Sequence, residues 1–154
     1  KTGSGIDYLY PRIKLDQNGL LHFLYKGEND QFWYTNSNDE GNTWLEPTKL
    51  SDLPSYLRFR NRLELDGNLP VVVWNEGNDT LGYYEGCNIL FTKFNGSNWT
   101  IPQDISNTQL PMKAAFPSLI ITQKDGDSYY NFIWLEGNCE SVNYNIHYKR
   151  IRKQ

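Results

Sequence analysis

Two glutamates repeat in one setting. Trp74-Asn75-Glu76-Gly77 and Trp134-Leu135-Glu136-Gly137 share an aromatic, an acid two residues on, and a glycine; Tyr25-Lys26-Gly27 is a looser version. Paired carboxyl groups flanking a glycosidic bond can act as acid and base, or acid and nucleophile, at separations of roughly 5 to 9.5 Å. Aromatic and acid together also bind sugars, the ring stacking on a sugar face while the acid bridges hydroxyls. Repetition favours binding or structure over catalysis, because a catalytic group is usually needed once. Glu76 and Glu136 are the candidate catalytic residues. Trp74, Trp134 and Tyr25 are candidate ligand contacts, with Tyr83 and Tyr84 from a long loop.

Arg12 and Arg62 form a second constellation. They occupy matching places in Tyr10-Pro11-Arg12-Ile13-Lys14-Leu15 and Arg60-Asn61-Arg62-Leu63-Glu64-Leu65; the third copy, Phe116-Pro117-Ser118-Leu119-Ile120-Ile121, has Ser118 there. A guanidinium is a planar fork that pairs bidentately with a carboxylate. These arginines either hold an acidic ligand or salt-bridge neighbouring elements. Other chemistry is not readable. His22 and His147 lie inside strand patterns and read as packed side chains. No Cys/His zinc spacing and no phosphate loop occur, so neither metal nor cofactor is expected.

The elements that must position these residues also repeat. Segments ending in an aromatic follow the first signature: His22-Phe23-Leu24-Tyr25, Val71-Val72-Val73-Trp74 and Asn131-Phe132-Ile133-Trp134. Then come Phe32-Trp33-Tyr34-Thr35, Ile89-Leu90-Phe91-Thr92 and Ile146-His147-Tyr148-Lys149. The template Trp-x-x-Pro-x-x-aliphatic-Ser closes two units, at Trp44 to Ser51 and Trp99 to Ser106. Ile13 and Leu15 alternate with polar residues, as strands with one buried face do; Val71 to Trp74 is a continuous apolar run, suited to a strand covered on both faces. Turn signals fall between the segments. Asn95-Gly96 predicts a type I′ turn. Units spaced by about 40 to 50 residues, with four ordered signatures, predict an all-β repeat protein of four-stranded antiparallel sheets.

Residues Ser37, Asp39, Gly41, Thr43 and Trp44 stand in the pattern Ser-x-Asp-x-Gly-x-Thr-Trp. Asp39 can accept N–H groups of its own turn, Gly41 can adopt the positive φ the turn requires, and Trp44 is expected to start the next strand as an apolar anchor. This stretch resembles the Asp-box of the sialidase-like, or BNR-repeat, β-propellers. The resemblance implies β-propeller blades, with units at roughly 8–51, 57–106 and 114–154, the last incomplete, in one partial domain of a six-bladed type. It implies that the Asp-box is structural and that the functional rim lies at the opposite end of the strands. It also implies an exported or cell-surface, bacterial protein with a glycan ligand. Three functions follow: a non-catalytic carbohydrate-recognising or scaffold propeller, a sialidase-like glycoside hydrolase completed by missing blades or a second copy, or a protein-interaction module. Sialidases hold their substrate's carboxylate with three arginines; here two are in register, and the family's Arg-Ile-Pro start is replaced by Pro11-Arg12-Ile13.

Three blades do not close a ring, since propellers use about four to eight. Either the remaining blades belong to a longer chain, or two copies complete a homodimeric ring. The net charge of −3 lacks the clustered basic surface that nucleic acid requires. No apolar run is long enough for membrane insertion. Cys87 and Cys139 fall in corresponding loops of neighbouring units and could form a disulfide.

Overall fold

The computed structural model describes residues 9–27, 31–52, 61–77, 87–109, 112–138 and 143–153, and among them the fold is all-β, without a helix. Eleven strands form three antiparallel sheets. The first contains β1 (Leu9–Leu15), β2 (Leu21–Lys26), β3 (Phe32–Ser37) and β4 (Thr48–Lys49), in that order. The second contains β5 (Asn61–Asp66), β6 (Leu69–Glu76), β7 (Asn88–Lys93) and β8 (Gln103–Asp104). The third has β9 (Met112–Lys124), β10 (Asp127–Asn138) and β11 (Tyr144–Arg152).

The sequence repeats mark equivalent positions in these sheets. Arg12 pairs with Leu24, Arg62 with Val73 and Ser118 with Ile133, so the three occupy one register position. The closing template has a physical basis. Leu50 N–H donates to the Phe32 carbonyl and Ile105 N–H to the Ile89 carbonyl, both at 2.8 Å. Ser51 Oγ accepts from Phe32 N–H (2.8 Å), as Ser106 Oγ does from Ile89 N–H (2.9 Å). Thr35 and Thr92 each donate a hydroxyl hydrogen bond to the carbonyl of the residue after the template tryptophan, Leu45 and Thr100, at 2.6 Å. These side chains replace ladder bonds that the two-residue strands β4 and β8 are too short to make.

The middle sheet is covered on both faces. Val72 and Trp74 pack toward the first sheet with Leu24, Phe32, Tyr34, Leu50 and Leu63. Val71 and Val73 pack toward the third with Ile89, Phe91, Leu119, Tyr130, Phe132 and Trp134. Val71, Val72, Val73 and Trp74 are all fully buried, which is why this segment is apolar throughout rather than alternating. Each such side chain contributes about 1.5–3 kcal/mol by leaving water. The outer faces remain open, with Ile13 and Leu15 exposed on the first sheet and Ile120, Ile133 and Ile146 on the third. Polar ties join the sheets at their edges. Lys14 pairs with Glu64 (2.8 Å), Asn61 donates its amide to the Tyr10 carbonyl (3.1 Å), and the Tyr130 hydroxyl donates to Asp66 (2.7 Å).

Two local expectations are corrected. Asn95-Gly96 is not a type I′ turn. Gly96 has φ 98°, but Asn95 is not left-handed, and the loop runs from Asn95 to Asn98 between the bridged Phe94 and Trp99. The Asn95 carboxamide oxygen accepts the N–H groups of Ser97 (3.0 Å) and Asn98 (2.8 Å), so an Asx turn outcompetes the tighter hairpin. Trp44 does not begin β4; it lies in the loop before it, 40% exposed, with its ring 5.4 Å from that of Phe23.

Candidate functional site

The loop between β3 and β4 is a closed hydrogen-bond cage around Asp39. Asp39 Oδ1 accepts from the Ser37 hydroxyl (2.7 Å) and from Thr43 N–H (2.9 Å), and Oδ2 accepts from the Thr43 hydroxyl (2.6 Å). Ser37 Oγ takes Gly41 N–H at 2.9 Å. Gly41 adopts φ 87°, where a side chain would be strained. Hydrogen bonds from Thr43 and Ser37 favour the ionised carboxylate and lower the Asp39 pKa to about 2. Both carboxylate oxygens are engaged in the turn, which accounts for this aspartate without a catalytic role. Because the folded-state pKa lies below the unfolded one, this stabilisation is complete above pH ~4 and is lost as pH falls toward ~2. Urea midpoints of the wild type and Asp39→Asn should therefore converge across that window. A gap unchanged with pH would show that the carboxylate charge does not hold the turn.

At the other end of the strands, the repeated glutamates meet their own tryptophans. Trp74 Nε1–H donates to Glu76 Oε2 at 2.7 Å, and Trp134 Nε1–H lies 3.4 Å from Glu136 Oε2, which the Thr108 hydroxyl also approaches at 3.4 Å. Trp74 is fully buried, and Trp134 is 5% exposed, stacked on His147. Neither indole offers a ring face to a sugar, which corrects their assignment as stacking platforms: burial in the intersheet cores uses both faces. Glu76 is itself buried. The glycines that follow have the same logic. A Cβ on Gly77 would stand 2.8 Å from Cys87 Cα, and one on Gly137 would stand 2.5 Å from the Asn143 carbonyl. The recurrent Trp-x-Glu-Gly motif thus sits at the ends of the interior strands β6 and β10, with its glycine in close approach to the start of the next strand. Tyr25, its counterpart on the first sheet, is half-buried and stacked 5.2 Å from Phe23.

The arginines have a different environment. Arg12 and Arg62 are half-buried, on first strands that lie side by side. Among the described residues neither forms an ion pair with a carboxylate. Each instead donates to a neighbouring carbonyl, Arg12 to Pro11 and Arg62 to Asn61, at 3.0 Å. Burial, and then the nearness of Arg62, lower the Arg12 pKa. Two like charges brought together without a counter-charge favour any anion that enters between them.

Tyr83, Tyr84 and Cys139 lie outside the described residues; Cys87 is buried against Gly77. No cluster suited to a metal ion occurs among the described residues, and no helix there is long and apolar enough to cross a membrane.

Sequence reasoning missed a cleft of about 600 Å³ at the turn end, between the first and second sheets. Its lining includes Asp16, His22 and Tyr34 from one sheet and Asn68, Asn98 and Trp99 from the other. His22 Nδ1 is 2.7 Å from the Tyr34 hydroxyl, and Nε2 is 3.6 Å from Asp16 Oδ2. Burial lowers the His22 pKa despite Asp16, which favours the neutral ring. Burial also raises the Tyr34 pKa to about 12. Burial pushes the Asp16 pKa upward, but the N–H groups of Leu20 and Asn18, together with His22, outweigh it, and the net shift is downward. The sequence signal for this cleft was the histidine within β2. No protein-family model and no curated protein matches this chain.

Proposed function

We propose that the three sheets are blades of a β-propeller of the Asp-box type, and that the chain is a carbohydrate-recognising module that does not itself cleave glycosidic bonds. The observation that carries the reading is the pair Arg12 and Arg62: half-buried, in register, mutually repelling, and without a carboxylate partner among the described residues. A sugar carboxylate supplies the missing counter-charge in a bidentate geometry. The blade reading is supported by the packing sense. The face that the first sheet leaves open matches in register the faces that the second and third sheets bury. Ile13 corresponds to Leu63 and Leu119, and Tyr25 to Trp74 and Trp134. The open faces are therefore suited to further blades of the same kind, from a longer chain or from a second copy.

A hydrolase is disfavoured because Glu76 and Glu136 share one indole-bonded setting on adjacent sheets. Calorimetric titration with N-acetylneuraminate and glucuronate, beside glucose, tests the reading. The acids should bind and glucose should not bind at this centre. Arg12→Ala or Arg62→Ala should weaken the acids by about ten- to hundredfold, the worth of a charge-assisted hydrogen bond. Absence of acid binding would refute the module. Turnover of a fluorogenic glycoside that is lost in Glu76→Gln would replace it with the hydrolase.

A further inference from the structure

We propose that the cleft between the first and second sheets is a second ligand site, taking one or two residues of a neutral saccharide. It lies at the turn end of the strands, away from Arg12 and Arg62, and does not depend on the reading of those arginines. Three features specify its ligand. The first is size, about 600 Å³, within the range of small-molecule clefts and ample for a monosaccharide or disaccharide.

The second is the character of the walls. Asn18 stands on the first-sheet side and Asn98 on the second, and both are exposed. Their carboxamides have no hydrogen-bond partner among the described residues; their backbone N–H groups donate to the Asp16 and Asn95 side chains, and the Asn98 carbonyl accepts Asn95 N–H. A carboxamide offers donors and an acceptor together, which matches a hydroxyl that both donates and accepts. Asn68 is partly committed, since its Oδ1 accepts Gln17 N–H at 3.2 Å and so ties the two walls together. Among the described residues no Lys or Arg lines the cleft, so an acidic ligand finds no counter-charge from them there.

The third feature is a fixed aromatic wall. Trp99 lines the cleft half-buried, held edge-on to Tyr34 at 4.9 Å and against Phe94 at 5.7 Å. Tyr34 is in turn held by His22, and His22 lies beside Asp16. This buried chain orders the aromatic side of the cleft before any ligand arrives, which reduces the ordering cost of binding. An indole beside neutral amides suits the apolar face and equatorial hydroxyls of a pyranose.

The experiment is a ¹H–¹⁵N titration of the intact chain with glucose, galactose, mannose, N-acetylglucosamine, lactose and cellobiose. At least one should shift the Trp99 indole N–H and the Asn98 carboxamide while leaving Arg12 and Arg62 Nε–H unmoved. Trp99→Ala should weaken that sugar by about tenfold. Because Trp99 also packs against Tyr34, Asn98→Ala, at an exposed position, is the second variant, and it should weaken the same sugar with unchanged thermal stability. No shift at Trp99 with any of the six sugars would overturn the proposal. So would binding that survives both substitutions undiminished. If neutral sugars shift Trp99 while acidic sugars leave the arginines unmoved, the cleft stands and the arginine site falls; the reverse pattern separates the two in the other direction.

Discussion

Trp74→Ala should destabilise the protein by about 3–5 kcal/mol, the cost of emptying a large aromatic site in a packed core. Trp74 has no exposed surface and lies in the core between the first and second sheets, with its ring 6.3 Å from that of Phe32. It also carries the indole N–H that donates to buried Glu76. Total stabilities of domains are about 5–15 kcal/mol, so this variant approaches the unfolding threshold. Trp74→Phe separates the two roles, since it keeps most of the apolar volume and removes only the donor. It should cost about 1–3 kcal/mol, the penalty for leaving a buried acceptor short of a partner. Trp44→Ala is the reference, because that ring is 40% exposed and should matter little. Urea unfolding of the three variants provides the ranking. If Trp74→Ala cost no more than Trp44→Ala, the intersheet core would be wrongly placed.

Gly137→Ala and Gly77→Ala should each cost about 1–3 kcal/mol, through overpacking rather than lost contacts. At Gly77 the obstruction is Cys87 Cα, and at Gly137 it is the Asn143 carbonyl; both are backbone atoms that cannot rotate away. Gly27 is the informative comparison. The atoms nearest a Cβ there belong to the side chains of Trp33 and Tyr25, at 3.1 Å, and these can shift slightly. The denaturation midpoint of Gly27→Ala should therefore stay nearer the wild type. Equal losses at all three positions would mean that the glycines of the repeated motif are not set by close strand approach.

The sheets were legible because their signatures recur in a fixed order, and the register pairs Arg12, Arg62 and Ser118 with equivalent partners. The serine closing each template was legible only as a pattern. Its job, accepting a backbone N–H from the third strand, depends on a hydrogen bond spanning Ser51 and Phe32. Trp74 and Trp134 were misassigned for a physical reason: an aromatic at a strand end looks the same in sequence whether a neighbouring sheet or solvent covers it. Asn95-Gly96 failed because an asparagine side chain can satisfy the turn's N–H groups in a wider loop as well as in a tight one. Beyond His22 the cleft was not legible, because Asp16, Tyr34, Asn68 and Trp99 meet only when two sheets pack.

The most direct test of the acidic-sugar module follows the side-chain Nε–H signals of Arg12 and Arg62 during titration with N-acetylneuraminate at constant ionic strength. Both signals should move together and saturate, while an equal concentration of chloride or glucose should leave them in place. Signals that stay fixed, or that respond equally to chloride, would contradict it.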